Sequence, residues 1–194
     1  LNDFLVAIKD MLVRGAPLIG VTAAFGFAKS MQYDNSDKSL EETKSILLST
    51  RPTAVNLHWA VKMMFELLIK VKKDTRAETA LSKAKDILKS DVQSNNQIGK
   101  NGYEIIKNII DKKNNDKINI LTHCNAGWLA TVDWGTATSP IYYAKEKGAN
   151  IHVFVDETRP RNQGAQLTTW ELSHNDISHD LIVDNAGGHL MQHK

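Results

Sequence analysis

The sequence predicts an α/β protein in two parts, a helical N-terminal domain followed by a parallel-sheet domain, on three observations. Apolar residues recur at helical spacing through most of residues 3–72. From residue 117 onward, short β-type runs alternate with helical stretches, the order that parallel crossover units require. Between these lies a Lys-, Asp- and Asn-rich helical region, 74–114, with its apolar residues gathered onto faces.

Each element has a local reason. Phe4, Leu5, Ile8, Met11 and Leu12 share one helix face, and Arg14-Gly15-Ala16-Pro17 ends that pattern. Leu18 to Met31 is mostly small and apolar, which suits a tightly packed buried helix, and Asp34 to Lys38 is a polar loop. Leu40 to Leu48 reads as a helix stopped at Ser49-Thr50-Arg51-Pro52. A residue before proline is pushed out of helical angles, so Arg51 is expected in extended backbone at a turn. Thr53 to Lys72 reads as a further helix.

In the 74–114 region, Leu81, Ala84, Ile87 and Leu88 lie on one face and Ile105, Ile106, Ile109 and Ile110 on another, as in amphipathic surface helices. The polar run 111–116 is expected to be the domain junction, giving domains 1–114 and 115–194. Strands are expected at 118–122, 151–155 and 180–183, with helices at 135–147 and 164–173 between them. Gly148 sits in the usual position just past a helix end.

Composition excludes several classes. A length of 194 residues with 42% apolar content supports a real core. A formal charge of +2 is too balanced to argue for nucleic acid or an acidic membrane. One cysteine rules out a disulfide framework within the chain, and a reducing compartment is the simplest setting. No secretory pattern opens the chain, and no apolar run reaches the roughly 20 residues that a membrane helix needs. A cytoplasmic protein that binds neither membrane nor nucleic acid is expected. Leu1 opens the chain and HLMQHK closes it without a stop signal, so both ends are expected to be cut.

In open parallel sheets, ligands bind beyond the carboxyl ends of the strands. Three polar segments fall there: Thr122 to Gly127, Asp156 to Pro160 and Asp184 to Gly188. They direct Cys124, Asp156, Glu157, Arg159 and Asp184 toward one edge. Cys124 reads either as a small buried hydrophobe or as a reactive thiol. Its place after a strand, ahead of backbone N–H groups from Asn125-Ala126-Gly127, favours the second. His123 adjoins it in sequence, and strand neighbours face opposite ways, so a protease-type triad is a poor fit. Arg14 and Arg51 both lie in Pro-containing turns and suit phosphate, or else surface ion pairs and caps. Gly15 lets backbone approach a ligand closely. The seven histidines carry no metal-binding spacing, and no dinucleotide fingerprint follows a strand, so neither metal nor cofactor is expected. Trp59, Trp128, Trp134 and Trp170 lack basic neighbours and read as packing or pocket walls.

Met11-Leu12-Val13-Arg14-Gly15-Ala16-Pro17-Leu18-Ile19-Gly20, Arg51 to Leu57, Thr122-His123-Cys124-Asn125, Asp156-Glu157-Thr158-Arg159-Pro160 and Gln163-Gly164-Ala165 occur in order. Together they resemble the methylthioribose-1-phosphate isomerase family, a relative of the regulatory subunits of the translation initiation factor 2B exchange factor. The resemblance covers nearly the whole chain and is weakest in the 74–114 helices. It implies a helical N-terminal domain and a Rossmann-like domain that is incomplete at its C-terminus. It implies isomerisation of 5-methylthioribose 1-phosphate to 5-methylthioribulose 1-phosphate in methionine salvage, by a homodimer without metal or nucleotide. Carried over, Cys124 is the catalytic cysteine, Arg14, Gly15, Ala16 and Arg51 contact phosphate and sugar, and Gln163 is a further substrate ligand. Trp128 and Trp134 are expected to wall the site. The family's catalytic Asp, in a Gly-x-Asp-Arg segment, is expected roughly ten residues beyond Lys194. An Asn-Lys substrate pair and a short N-terminal segment are also expected outside the chain, so these residues alone are expected to be inactive. Asp184 is assigned to ordering its loop. Two other readings stand beside this one: a non-catalytic regulatory protein like the exchange-factor subunits, and an isomerase of another ribose 1-phosphate, such as the 1,5-bisphosphate or the 5-deoxy sugar.

Overall fold

The computed structural model describes residues 1–113 and 116–193. The chain divides into two compact units, Leu1–Asp91 and Val92–Lys194. Among the described residues, no helix is long and apolar enough to cross a membrane.

The first unit is helical: α1 (Asn2–Lys9), α2 (Ala16–Tyr33), α3 (Asp37–Thr50), α4 (Val55–Leu68) and the start of α5 (Lys73–Lys112). Small residues in α2 let its neighbours come close. A β-carbon on Gly20 would touch the Asn56 carbonyl, and one on Gly26 would touch Phe4. Phe27, Met31, Leu40, Leu57 and Met64 are fully or almost fully buried between these helices, each removal from water being worth roughly 1.5–3 kcal/mol. Ser30 Oγ and Thr43 Oγ1, 2.7 Å apart, satisfy each other inside that core. Ser36 caps α3 by accepting from the Ser39 N–H at 3.1 Å.

The second unit holds β1 (Ile118–Thr122), β2 (Ile151–Asp156) and β3 (His179–Ile182), with α6 (Ser139–Glu146), α7 (Thr169–His174) and α8 (Gly187–His193). Among the described residues the strands form one parallel sheet in the order β1-β2-β3. Ile118 pairs with Ile151 and Val153 with His179. Ile118, Ile141, Ile151, Val153, Val155 and Leu172 make the core.

The division falls within α5, whereas the sequence places the junction at 111–116, of which Asn114 and Asn115 lie outside the described residues. The reason is packing on the late turns of α5. Tyr103, Ile106 and Ile110 cover the sheet core. Gly99 and Gly102 sit where a side chain would strike Ser139 and Pro140, and Ser139 Oγ donates to the Asn95 carbonyl at 2.7 Å.

Two helices differ from their predicted spans. The 135–147 stretch becomes helical only from Ser139, because Trp134 and Gly135 adopt φ of 70° and 75° and Thr136 N–H turns back to the Ala126 carbonyl. Pro140 then occupies the first turn, where a missing N–H costs nothing. The 164–173 stretch opens as a π-turn, Gly164–Thr168, before α7. Ala165 N–H bonds back to the Glu157 carbonyl, so the chain leaves β2 against its own helix start. Gly164 permits this approach, since a β-carbon there would overlap the Asp156 carbonyl oxygen. Gly164→Ala is expected to lower stability by about 1–3 kcal/mol. Urea unfolding checks this, and an unchanged midpoint would contradict the packing described.

Candidate active site

Because the sheet is parallel, the segments that follow all three strands emerge at one edge. Hydrogen bonds tie them together there. Cys124 N–H donates to Thr158 Oγ1 at 2.8 Å, and Thr158 Oγ1 donates to the Asp156 carbonyl at 3.1 Å. Thr158 and Arg159 N–H groups donate to the two carboxylate oxygens of Asp184, each at 2.7 Å. The three segments therefore form one chain of contacts, Cys124 to Thr158 to Asp184. The loop-ordering role expected of Asp184 corresponds to these two bonds.

Cys124 is half-buried and has φ of 65°. Thr158 has φ of 63°. Left-handed backbone costs a non-glycine residue roughly 1–2 kcal/mol, more for a β-branched one, and persists only where its surroundings impose it. Here the imposing bonds are visible. Besides the N–H bond to Thr158, the Cys124 carbonyl accepts from Thr168 Oγ1 at 2.6 Å. Both peptide groups of Cys124 are thus fixed.

One residue before Cys124, His123 extends a ring whose side chain is 59% exposed, with Nδ1 3.0 Å from Oδ2 of the buried Asp156. Asp156 Oδ1 is buried without a partner. A carboxylate behind a histidine fixes the ring and leaves the other nitrogen available for proton transfer. His123, Asp156 and Asp184 each place one potential ligand atom within 4.8 Å of the others. Both Asp184 oxygens and one Asp156 oxygen are already engaged within the chain, which disfavours a cation there.

The Asp184 carboxyl is held below the usual aspartate range, chiefly by the N–H of Arg159, then by that of Thr158 and by the nearby His123 and Arg159 charges. A lowered native pKa contributes stability above the ordinary value of about 3.9 and loses it as pH falls further. The Thr158 and Arg159 amide resonances are therefore expected to hold their positions down to roughly pH 4 and move together below it. The same acid-range movement in an Asp184→Asn protein would contradict this arrangement.

Glu171, on α7, is completely buried. Its carboxylate accepts from Asn125 Nδ2 at 3.0 Å, Trp128 N–H at 3.2 Å, Leu129 N–H at 3.0 Å and Tyr142 Oη at 2.5 Å. Burial first, and then the Glu171 charge, raise the Tyr142 hydroxyl far above its ordinary value. The Trp128 and Leu129 N–H groups, just past Asn125-Ala126-Gly127, thus serve the chain's own carboxylate.

The other predicted residues divide between the units. Gly15 has φ of 87° and precedes α2, whose first residue is Ala16. Arg51 lies just past α3 at φ −147° and ψ 84°, outside helical angles as the following proline requires, though short of the fully extended backbone expected. Arg14 and Arg51 are half-buried, and among the described residues neither guanidinium meets a carboxylate or another acceptor. Arg76 shows the contrast. It is 2% exposed, donates to the Leu68 and Asn35 carbonyls and pairs with Asp37. In the second unit Gln163 is half-buried immediately before the π-turn. Trp128 packs on Trp170 and Trp134 on Tyr143. Both line a cleft with Asp133, Tyr142, Glu146 and Asn175, a set without Cys124, so that cleft is not the wall expected around the thiol.

Sequence reading missed Thr158, Thr168, Glu171 and the His123–Asp156 pair. Glu171 left one signal: together with Thr168 and Leu172 it occupies the apolar face of the predicted 164–173 helix, where an unpaired carboxylate is out of place.

Cys124, the His123–Asp156 pair and Asp184 thus lie beyond the carboxyl ends of three parallel strands, the edge at which open parallel sheets take ligands. The model of the initiation factor 2 subunit family matches residues 12–193, and the chain belongs to that family. A methylthioribose-1-phosphate isomerase of Cereibacter sphaeroides is 60% identical over 191 residues, 98% of this chain and 52% of that protein. The solved 5-methylthioribose 1-phosphate isomerase of Pyrococcus horikoshii superposes with a TM-score of 0.86 at 38% identity, covering 98% of this chain and 53% of that one. The translation initiation factor eIF-2B subunit delta of A. fulgidus gives 0.83 at 36%, covering 98% and 56%. The chain spans about half the length of the curated relatives it matches.

Proposed function

We propose that this chain carries the cysteine-bearing part of an aldose–ketose isomerase that converts 5-methylthioribose 1-phosphate to 5-methylthioribulose 1-phosphate in methionine salvage. The observation that carries the reading is Cys124, held at positive φ where three parallel strands end, in a chain 60% identical to a relative named for that reaction. Two half-buried arginines, Arg14 and Arg51, which meet no acceptor among the described residues, supply the cationic donors that a phosphate needs.

The chemistry accounts for the residue types. The anomeric oxygen is esterified, so the ring cannot open as in a free sugar. On balance the ring oxygen gains a proton, the 2-hydroxyl loses one, and hydrogen moves from C2 to C1. Groups within hydrogen-bond reach must give and take those protons. Cys124 serves as one of them, Arg14-Gly15-Ala16 and Arg51 hold phosphate and sugar, and Gln163 is a further ligand. The enzyme works as a cytoplasmic homodimer and needs neither metal nor nucleotide.

The similarity to an eIF-2B delta subunit favours a second reading, a non-catalytic regulatory protein. The presence of Cys124, Arg14, Arg51 and Gln163 together supports catalysis over it. A substrate panel tests the choice. The chain, flanked by the unmatched segments of the Cereibacter sphaeroides relative, is offered the 5-methylthio, 5-deoxy and 5-phospho forms of ribose 1-phosphate. Highest kcat/KM on the 5-methylthio sugar is expected. Preference for the bisphosphate would move the substrate assignment, and no turnover of any would favour the regulatory reading.

A further inference from the structure

Glu171 stands well outside the motifs that suggest the reaction, yet it organises the segment that follows the thiol. Its carboxylate is fully enclosed, and among the described residues no cation pairs with it. Four donors surround it: the Asn125 amide, the Trp128 and Leu129 N–H groups and the Tyr142 hydroxyl. That set matches a group with lone pairs to fill and no hydrogen to give. An isolated buried carboxylate is costly, and satisfied donors on every side are what make it tolerable.

The surroundings are shaped to admit it. A β-carbon on Gly127 would fall within the carboxylate itself, and Gly135, at φ 75°, packs its own α-carbon side against the Gly127 backbone. The loop from Asn125 to Leu129 is therefore wrapped around Glu171. The wrap leads back to the backbone of Cys124 by one peptide bond and one shared hydroxyl. Asn125 is the residue next to Cys124, and its Nδ2 donates to Glu171 and also lies 3.3 Å from Thr168 Oγ1. That same Thr168 hydroxyl donates to the Cys124 carbonyl. Thr168, which ends the π-turn, and Glu171, on α7, are three residues apart, so this continuous helical stretch holds both sides of the Cys124–Asn125 peptide.

We infer that Glu171 is a positioning residue for Cys124: it acts as a built-in anion that orders the loop after β1 and thereby holds the thiol at its positive-φ position at the strand ends. The inference rests on the reading of Cys124 as the reacting group. The donors that a helix start would otherwise turn toward a bound anion are occupied by the chain's own carboxylate, so the loop is ordered before substrate arrives.

Two readouts test this on Glu171→Gln, which keeps the side chain's shape but turns an amide hydrogen toward at least one donor. The first is the rate at which iodoacetamide alkylates Cys124 in the 194-residue chain. The second is kcat and KM in the chain flanked by the relative's segments, with Cys124→Ser as the control. Loosening the loop is expected to speed alkylation by at least about threefold. It is expected to lower kcat by about 10- to 100-fold with KM within about threefold, as misplacement of a reacting group does. A purely structural glutamate would leave both unchanged in folded protein. Alkylation and kcat both within twofold of the parent, with circular dichroism unchanged, overturn the proposal.

Tyr142→Phe removes one donor without removing the charge or the ring. It is expected to move both readouts in the same directions by a smaller factor, and it carries the test should Glu171→Gln fail to fold. In that case unmoved readouts in Tyr142→Phe overturn the proposal. If the parent shows no turnover, or if Cys124→Ser keeps it, the isomerase reading fails while the alkylation rates still decide whether Glu171 holds residue 124.

Discussion

Glu171→Ala is expected to destabilise the protein by about 3–5 kcal/mol, the largest effect of any single substitution considered. The side chain is fully buried and accepts from four groups. Truncation removes the acceptor and leaves the donors in place. The Tyr142 hydroxyl is buried on α6, and the Trp128 and Leu129 N–H groups lie in the turn before it. A stranded buried donor costs about 1–3 kcal/mol, and an admitted water would satisfy some but not all of them. The cavity adds to the loss. Urea unfolding of the second unit's far-ultraviolet signal measures this, and a change below 1 kcal/mol would show that the carboxylate is dispensable.

Cys124→Ser is expected to leave the fold unchanged and to lower turnover by about a hundred- to ten-thousand-fold, the usual range for loss of an acid–base group. The substitution preserves the backbone bonds that fix residue 124, since Thr158 and Thr168 reach its N–H and carbonyl and not its side chain. A hydroxyl is a much weaker acid than a thiol, so it takes and gives protons poorly near neutral pH. Unchanged substrate binding with collapsed kcat is the expected pattern, measured by steady-state kinetics. Near-parental kcat would remove Cys124 from the chemistry.

Much of this arrangement is legible in the amino-acid sequence, and the exceptions share a cause. Ile118 to Thr122 forms the strand its composition predicts, and parallel pairing follows from the helical crossovers. Pro52 keeps Arg51 out of helical angles, as steric exclusion requires. These are local effects. The positive φ of Cys124 is not local. It depends on Thr158 and Thr168, which lie far along the chain and meet Cys124 only after the sheet assembles. The same holds for Glu171, whose partners come from the loop after β1 and from α6. The late start of α6 follows from a return bond between Thr136 and Ala126 that no periodicity encodes. Motif matching located Cys124, Arg51 and Gln163 without locating what holds them, because support is provided by tertiary contacts and not by spacing.

One measurement tests the proposed isomerisation most directly. A phosphorus NMR time course follows 5-methylthioribose 1-phosphate in the presence of the chain flanked by the unmatched segments of the Cereibacter sphaeroides relative, with that relative as control and Cys124→Ser alongside. The proposed isomerisation predicts that the anomeric phosphate signal gives way to that of a primary phosphate ester, and that the Cys124→Ser protein leaves the signal where it began. An unconverted signal in the parent protein while the control converts, or equal conversion by the Cys124→Ser protein, would contradict it.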